Sequence, residues 1–249
     1  MTRILVPYHL DEHLPQLDVP YEPDSTITAD LPDGSPWQRM AALYREVADV
    51  VADEVRGGGG RPVVMSGDCT TSLATVTGLQ RGGVDPAIVW FDGHGDLQTL
   101  ETTASGYLGG MPLRILTGYR PELISDDLGL RPISDDRVVL VDARDLDPPE
   151  AEFLTTSAIH RVEVDGLVAD VVPDGPVYLH IDLDVVTPDE LPGLLFPAPG
   201  GPGIDAVGAA IGRVVASGKV AAIGVGCTWH AGHDNGARVR SQLDAAGVA

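Results

Sequence analysis

The chain has 249 residues, 43% of them hydrophobic, which is enough for a sizeable α/β core and too apolar for a disordered polypeptide. Its formal net charge is −21, and Lys219 is the only lysine. Such a field repels nucleic acid and anionic membranes and attracts small cations. No run approaches the roughly 20 apolar residues of a membrane span, and two cysteines, Cys69 and Cys227, are too few for a disulfide framework.

The opening MTRILVPYHLDEH has an apolar run too short for a signal-peptide core. It is expected to form a first β-strand in a cytoplasmic protein. Residues 20–36, rich in Pro, Asp and Ser, read as a surface loop. Ser35-Pro36 then fits an N-cap with proline at the first helical position, and a long amphipathic helix is predicted over residues 37–56, stopping at the glycine run 57–60.

From there short apolar strands alternate with helical stretches. Strands are predicted at 62–65, 87–91 (AIVWF), 138–141 (VVLV), 177–181 (VYLHI) and 220–225, with a helix beginning near Thr70. Continuous apolar runs mean strands buried on both faces. The expected fold is a single doubly wound α/β domain over residues 1–249, with a mainly parallel sheet.

Ligands in such sheets bind beyond the carboxyl ends of the strands, where three polar clusters fall: Ser66-Gly67-Asp68-Cys69-Thr70-Thr71-Ser72, Asp92-Gly93-His94-Gly95-Asp96 and Asp182-Leu183-Asp184. Asp92, His94 and Asp96 alternate, so an extended backbone puts them on one side, and the glycines between them let the chain bend inward. So many carboxylates at one point repel one another unless cations neutralise them. Carboxylate and imidazole donors suit manganese better than a thiolate-rich zinc centre would.

The order G-D, then D-x-H-x-D, then D-x-D resembles the arginase/agmatinase/formiminoglutamase (ureohydrolase) family, here as SGDCTTSLAT, WFDGHGDLQT and HIDLDVVTP. Residues 104–116 resemble the family's substrate loop, 141–150 its R-D-x-D-P segment, and 196–201 its P-x-P-G-G turn. The resemblance implies an arginase-like sheet holding two Mn²⁺ per chain, assembled into homo-trimers or hexamers. It implies Asp92 and Asp182 as bridging ligands, Asp96 and Cys69 completing one site, and His94 and Asp184 the other. It also makes Asp92, His94 and Asp96 the catalytic group, with Ser105 and Asp147 contacting a small cationic guanidino substrate. The implied reaction is hydrolysis of a guanidine C–N bond with release of urea.

Three positions depart from that pattern. Cys69 stands where the family has a metal-binding histidine. Gly109 stands where a histidine assists the leaving amine. Gly226-Cys227-Thr228-Trp229 has no acid where a glutamate grips the guanidinium, although His230, His233 and Asp234 follow closely. The cysteine, with DGHGD and GYLGGM, is most similar to the subgroup that cleaves Nω-hydroxy-L-arginine to hydroxyurea in D-cycloserine biosynthesis. Two other readings remain open at this point: a single-zinc amine deacetylase on the same fold, and a catalytically degenerate metal-binding homologue.

Overall fold

The computed structural model describes residues 1–248. The chain opens with β1 (Thr2–Val6), the hairpin strands β2 (Tyr8–His9) and β3 (Glu12–His13), and the short β4 (Ser25–Thr26). Helix α1 (Pro36–Gly57) leads to β5 (Pro62–Ser66), α2 (Ser72–Arg81) and β6 (Ala87–Asp92). The short helices α3 (Pro112–Leu116) and α4 (Ser125–Leu128) precede β7 (Val138–Asp142), α5 (Pro148–Thr156) and β8 (His160–Val162). Then come β9 (Val177–Asp182), α6 (Ile204–Ala216), β10 (Val220–Gly226) and α7 (Asn235–Ala245).

Local chemistry sets the helix boundaries. The Ser35 hydroxyl accepts from Gln38 N while Gln38 Oε1 accepts from Ser35 N, a capping box at the start of α1, and Gly58 closes the helix in the left-handed region (φ 65°). The expected loop over 20–36 does contain one paired stretch. β4 lies parallel to β1, held by Ile27 N to Leu5 O and by the Arg3–Asp24 ion pair.

Eight strands form one sheet in the order β4-β1-β5-β10-β9-β6-β7-β8, with every pairing parallel. Successive strand residues face opposite layers. Val64, Ile88 and Trp90 pack in a core with α1, α2 and α3, while Val63, Met65, Val89 and Phe91 pack in a second core with α6 and α7. The continuous apolar runs in the sequence are this double coverage. The register aligns Ser66 with Gly226, Gly226 with Asp182, and Asp92 with Asp142, so the polar clusters share one edge of the sheet.

Helices α1 and α2 touch closely at Gly78, where an added Cβ would lie 2.6 Å from Val51 Cβ and 2.7 Å from Ala48 O. In an open helix Gly→Ala gains about 1 kcal/mol; here overpacking costs about 1–3 kcal/mol. Gly78→Ala is therefore expected to lower the urea midpoint of unfolding, and a raised midpoint would show that the helices separate freely.

Candidate metal centre

Strand β6 ends at Asp92 and β9 at Asp182, and both carboxylates fold the chain back on itself. Asp92 Oδ1 accepts from His94 N at 2.6 Å, and Asp182 Oδ1 accepts from Asp184 N at 2.9 Å. Each is a local Asx-type turn that brings the residue two positions on beside the first. Because β6 and β9 are neighbours (Phe91 opposite Ile181), the two turns meet.

The extended backbone expected to run through Asp92, His94 and Asp96 does not persist, since the strand stops at Asp92. Nor do the glycines supply the bend. Neither Gly93 nor Gly95 has a positive φ, whereas Asp96 does (54°). The glycines are there for close approach. A Cβ on Gly93 would lie 2.9 Å from Asp184 O, and one on Gly95 would lie 2.8 Å from Glu150 Oε1. Gly93 N also donates to Asp184 Oδ1 at 2.9 Å, tying the two turns together.

Cys69 arrives from β5. Asp68 accepts from Thr70 N and from Leu10 N, both at 2.6 Å, which fixes the 3₁₀ turn carrying Cys69. The thiol then donates to Asp182 Oδ2 at 2.8 Å. His94 Nδ1 lies 3.0 Å from Asp184 Oδ2 and 3.5 Å from Asp92 Oδ1. The result is two overlapping donor groups, Cys69–Asp92–Asp96 and Asp92–His94–Asp184, each with donor atoms within 4.8 Å of one another. Asp92 is common to both, and Asp182 joins them through Cys69 and the Asp184 turn.

Charge is the outstanding property of this cluster. Asp92, Asp96, Asp182 and Asp184 are 1–6% exposed, and among the described residues their only ion-pair partner is His94. Burial, then Asp184, pushes the Asp182 carboxyl up to about 7. Burial, then Asp92, pushes Asp184 up to about 6. Asp96 is driven upward by burial and by Asp92 and Asp182, and Cys69 by burial and by Asp182. Burial alone would lower His94, but Asp184 and Asp92 outweigh it and push the imidazole up to about 12. Asp96 Oδ2 is buried with no hydrogen-bond partner. An orphaned carboxylate oxygen inside a carboxylate, imidazole and thiol donor set fits a divalent cation.

Above the donors lies a cavity of about 270 Å³ whose floor is Cys69, His94, Asp96, Asp182 and Asp184, with Asp92 buried beneath. Ser105 and Asp147 both line it and are exposed at its mouth. Asp147 also precedes α5 as its N-cap, and its carboxylate accepts from Gln98 Nε2 at 2.6 Å. His230, His233 and Asp234 do not reach the cavity and are exposed. After β10 the backbone pairs with the 193–195 segment, His230 N to Gly193 O and Leu195 N to Thr228 O, both at 2.8 Å, and this leads the chain away.

Sequence reasoning missed four residues that shape the site. Trp90 Nε1 donates to Asp92 Oδ2 at 3.0 Å, and Thr228 Oγ1 donates to Asp182 Oδ1 at 2.7 Å. Glu150 is buried and accepts from Leu97 N and Asp147 N, clamping the 92–96 loop to α5; its D-x-x-E spacing from Asp147 is a capping-box signal that could have revealed it. Arg144 pairs with Asp142 and donates to the backbone oxygens of Asp184, Val185, Ala198 and Pro199.

A sequence profile described as "Arginase family" matches residues 5–226. The chain belongs to the arginase family. Its similarity to an Nω-hydroxy-L-arginine amidinohydrolase of Streptomyces lavendulae is 38% identity over 164 residues, covering 63% of this chain and 58% of that protein. An arginase of Bacillus subtilis strain 168 is 32% identical over 154 residues, covering 56% of this chain and 52% of the other. These alignments thus span little more than half the length of the curated relatives. The arginase-family fold extends over the whole chain. A crystal structure of arginase from Bacillus subtilis superposes with TM-score 0.81 at 22% identity, covering 100% of this chain and 98% of that one. Arginase from Entamoeba histolytica, solved with L-ornithine, gives 0.82 at 19% identity, covering 99% and 97%. Among the described residues no helix is long and apolar enough to cross a membrane.

Asp182, Asp184 and His94 all hold their protons more tightly in the folded chain than in the unfolded one. Their stabilising contribution is therefore complete at low pH and is lost as pH rises, for Asp182 between about 4 and about 7. Metal-free protein is expected to melt at a lower temperature at about pH 8 than at about pH 5, with a smaller difference in Asp182→Asn. Added Mn²⁺ is expected to raise the midpoint more at the higher pH, because binding needs deprotonated ligands. Equal gains at both pH values would contradict this picture of the cluster.

Proposed function

We propose that the protein is a binuclear manganese amidinohydrolase that cleaves the C–N bond of a small guanidino or hydroxyguanidino compound such as Nω-hydroxy-L-arginine, releasing urea or hydroxyurea. The observation that carries the reading is the pair of donor groups sharing Asp92 at the floor of the cavity, with Asp96 Oδ2 left unpartnered. Membership of the arginase family and the similarity to a hydroxyarginine amidinohydrolase support the same chemistry.

In this reading Cys69, Asp92, Asp96 and Asp182 hold one ion, and Asp92, His94, Asp182 and Asp184 hold the other. Divalent cations at such a centre lower the pKa of water and polarise the carbon under attack. The chain's own contribution is to fix the ligands and to place the substrate. Trp90 and Thr228 orient Asp92 and Asp182, and Glu150 and Arg144 hold the loops that bear the remaining donors. Ser105 and Asp147 would contact an α-carboxylate and an α-amino group of an amino-acid tail, a role supported by their both lining the cavity.

Cys69 bears on the choice of guanidine. A thiolate adds negative charge to its ion and reduces the Lewis acidity available there. The segment after β10 contributes only Thr228, and no carboxylate, to the cavity. Both features favour a hydroxyguanidine, which is less basic and more often neutral than a guanidine.

With Mn²⁺ supplied, the purified protein is expected to release urea or hydroxyurea from one member of a guanidino panel, and Asp92→Ala is expected to fall to background while retaining its fold. Absence of turnover across the panel with two ions bound per chain would overturn the proposal. So would one zinc per chain together with amide cleavage.

A further inference from the structure

Among the described residues, Tyr107 is the only phenol on the cavity wall. Its ring occupies the space in front of Gly109, where an added Cβ would lie 2.2 Å from Tyr107 Cζ and Oη. The ring is held from two sides, with its centroid 4.8 Å from Phe196 and 5.7 Å from His9, the latter within 16° of parallel. Tyr107 Oη lies 2.9 Å from His9 Nε2, and His9 Nδ1 lies 2.9 Å from Gly67 O. A carbonyl only accepts, so Nδ1 carries a hydrogen, and Nε2 is the nitrogen that exchanges a proton with the phenol. His9 sits half-buried on the β2–β3 hairpin, so part of its ring is open to solvent. A hydrogen-bonded line therefore runs from the cavity through Tyr107 and His9 to the Gly67 carbonyl.

We propose that Tyr107, resupplied by His9, donates the proton that the departing amine requires. The inference rests on the hydrolase reading above. Water adds its oxygen to the central guanidine carbon and loses one proton to solvent. When the tetrahedral adduct collapses, the C–N bond to the substrate tail breaks and its electron pair stays on nitrogen. That nitrogen takes the Tyr107 Oη proton, Tyr107 takes a proton from His9 Nε2, and His9 takes one from solvent. The adduct's hydroxyl loses its proton as the C=O of the urea forms. For a guanidinium substrate the two protons lost by water equal the two gained by the leaving nitrogen, one from Tyr107 and one from solvent once the free amine is released. Tyr107 is thus a catalytic residue, and His9 acts through it.

The leaving group provides the test. An alkylguanidine expels a basic amine that needs protonation, whereas a nitrophenylguanidine expels a nitroaniline that does not. Tyr107→Phe is expected to lower kcat for the alkyl substrate about 100-fold or more, with little change in KM, and to leave nitroaniline release near wild type. His9→Gln is expected to show the same selectivity, and both variants are expected to keep wild-type manganese content and melting temperature. In metal-free protein the ¹⁵N resonance of His9 Nε2 is expected to move in Tyr107→Phe. Equal slowing of both substrates, no slowing of either, or an unmoved His9 resonance would overturn this inference alone. A metal-loaded wild-type protein that turns over neither these substrates nor any other guanidino compound would remove the hydrolase reading as well.

Discussion

The constraint on which this structure turns is the burial of four aspartates at the carboxyl edge of a parallel sheet with one imidazole to balance them. Burying isolated carboxylates is expensive, and the usual remedies are pairing, protonation or a cation. The nearest guanidinium, Arg144, is already committed to Asp142 and to four backbone oxygens. Much of the surrounding architecture concentrates charge rather than relieving it. The sheet register sets Asp92 and Asp182 side by side, the Asx turns return His94 and Asp184 to them, and Gly93 lets the two turns touch.

That concentration explains why the fold and the main cluster could be read from the residues in order. A strand buried on both faces is a continuous apolar run, and a carboxylate directly after one has few bland explanations. The segments ending WFD and HID have this character, and β6 and β9 end on those very residues. Local capping was legible for the same reason, as Ser35 and Gln38 show, because donor and acceptor lie within one turn.

What was not legible depends on distance along the chain. Thr228 reaches Asp182 across 46 residues, from just past the end of β10, whereas Trp90, two residues before Asp92 on the same strand face, could have been read from the alternation. His9 and Tyr107 belong to segments with no shared pattern, one following β1 and the other β6, and meet only once the sheet is assembled. The glycines in DGHGD were assigned the wrong job, since a one-dimensional pattern suggests flexibility while the neighbours that need the space are remote. The acid and histidines after β10 looked available because proximity in sequence ignores where the backbone turns.

The two donor groups are inequivalent, one carrying His94 and the other Cys69. The account stands on both halves being occupied. Anomalous diffraction from manganese-soaked crystals tests this most directly. Two manganese peaks are predicted, both in contact with Asp92, one of them also bound by Cys69 Sγ and Asp96 and the other by His94 and Asp184. A single peak, or two that leave Cys69 and Asp96 unligated, would contradict it.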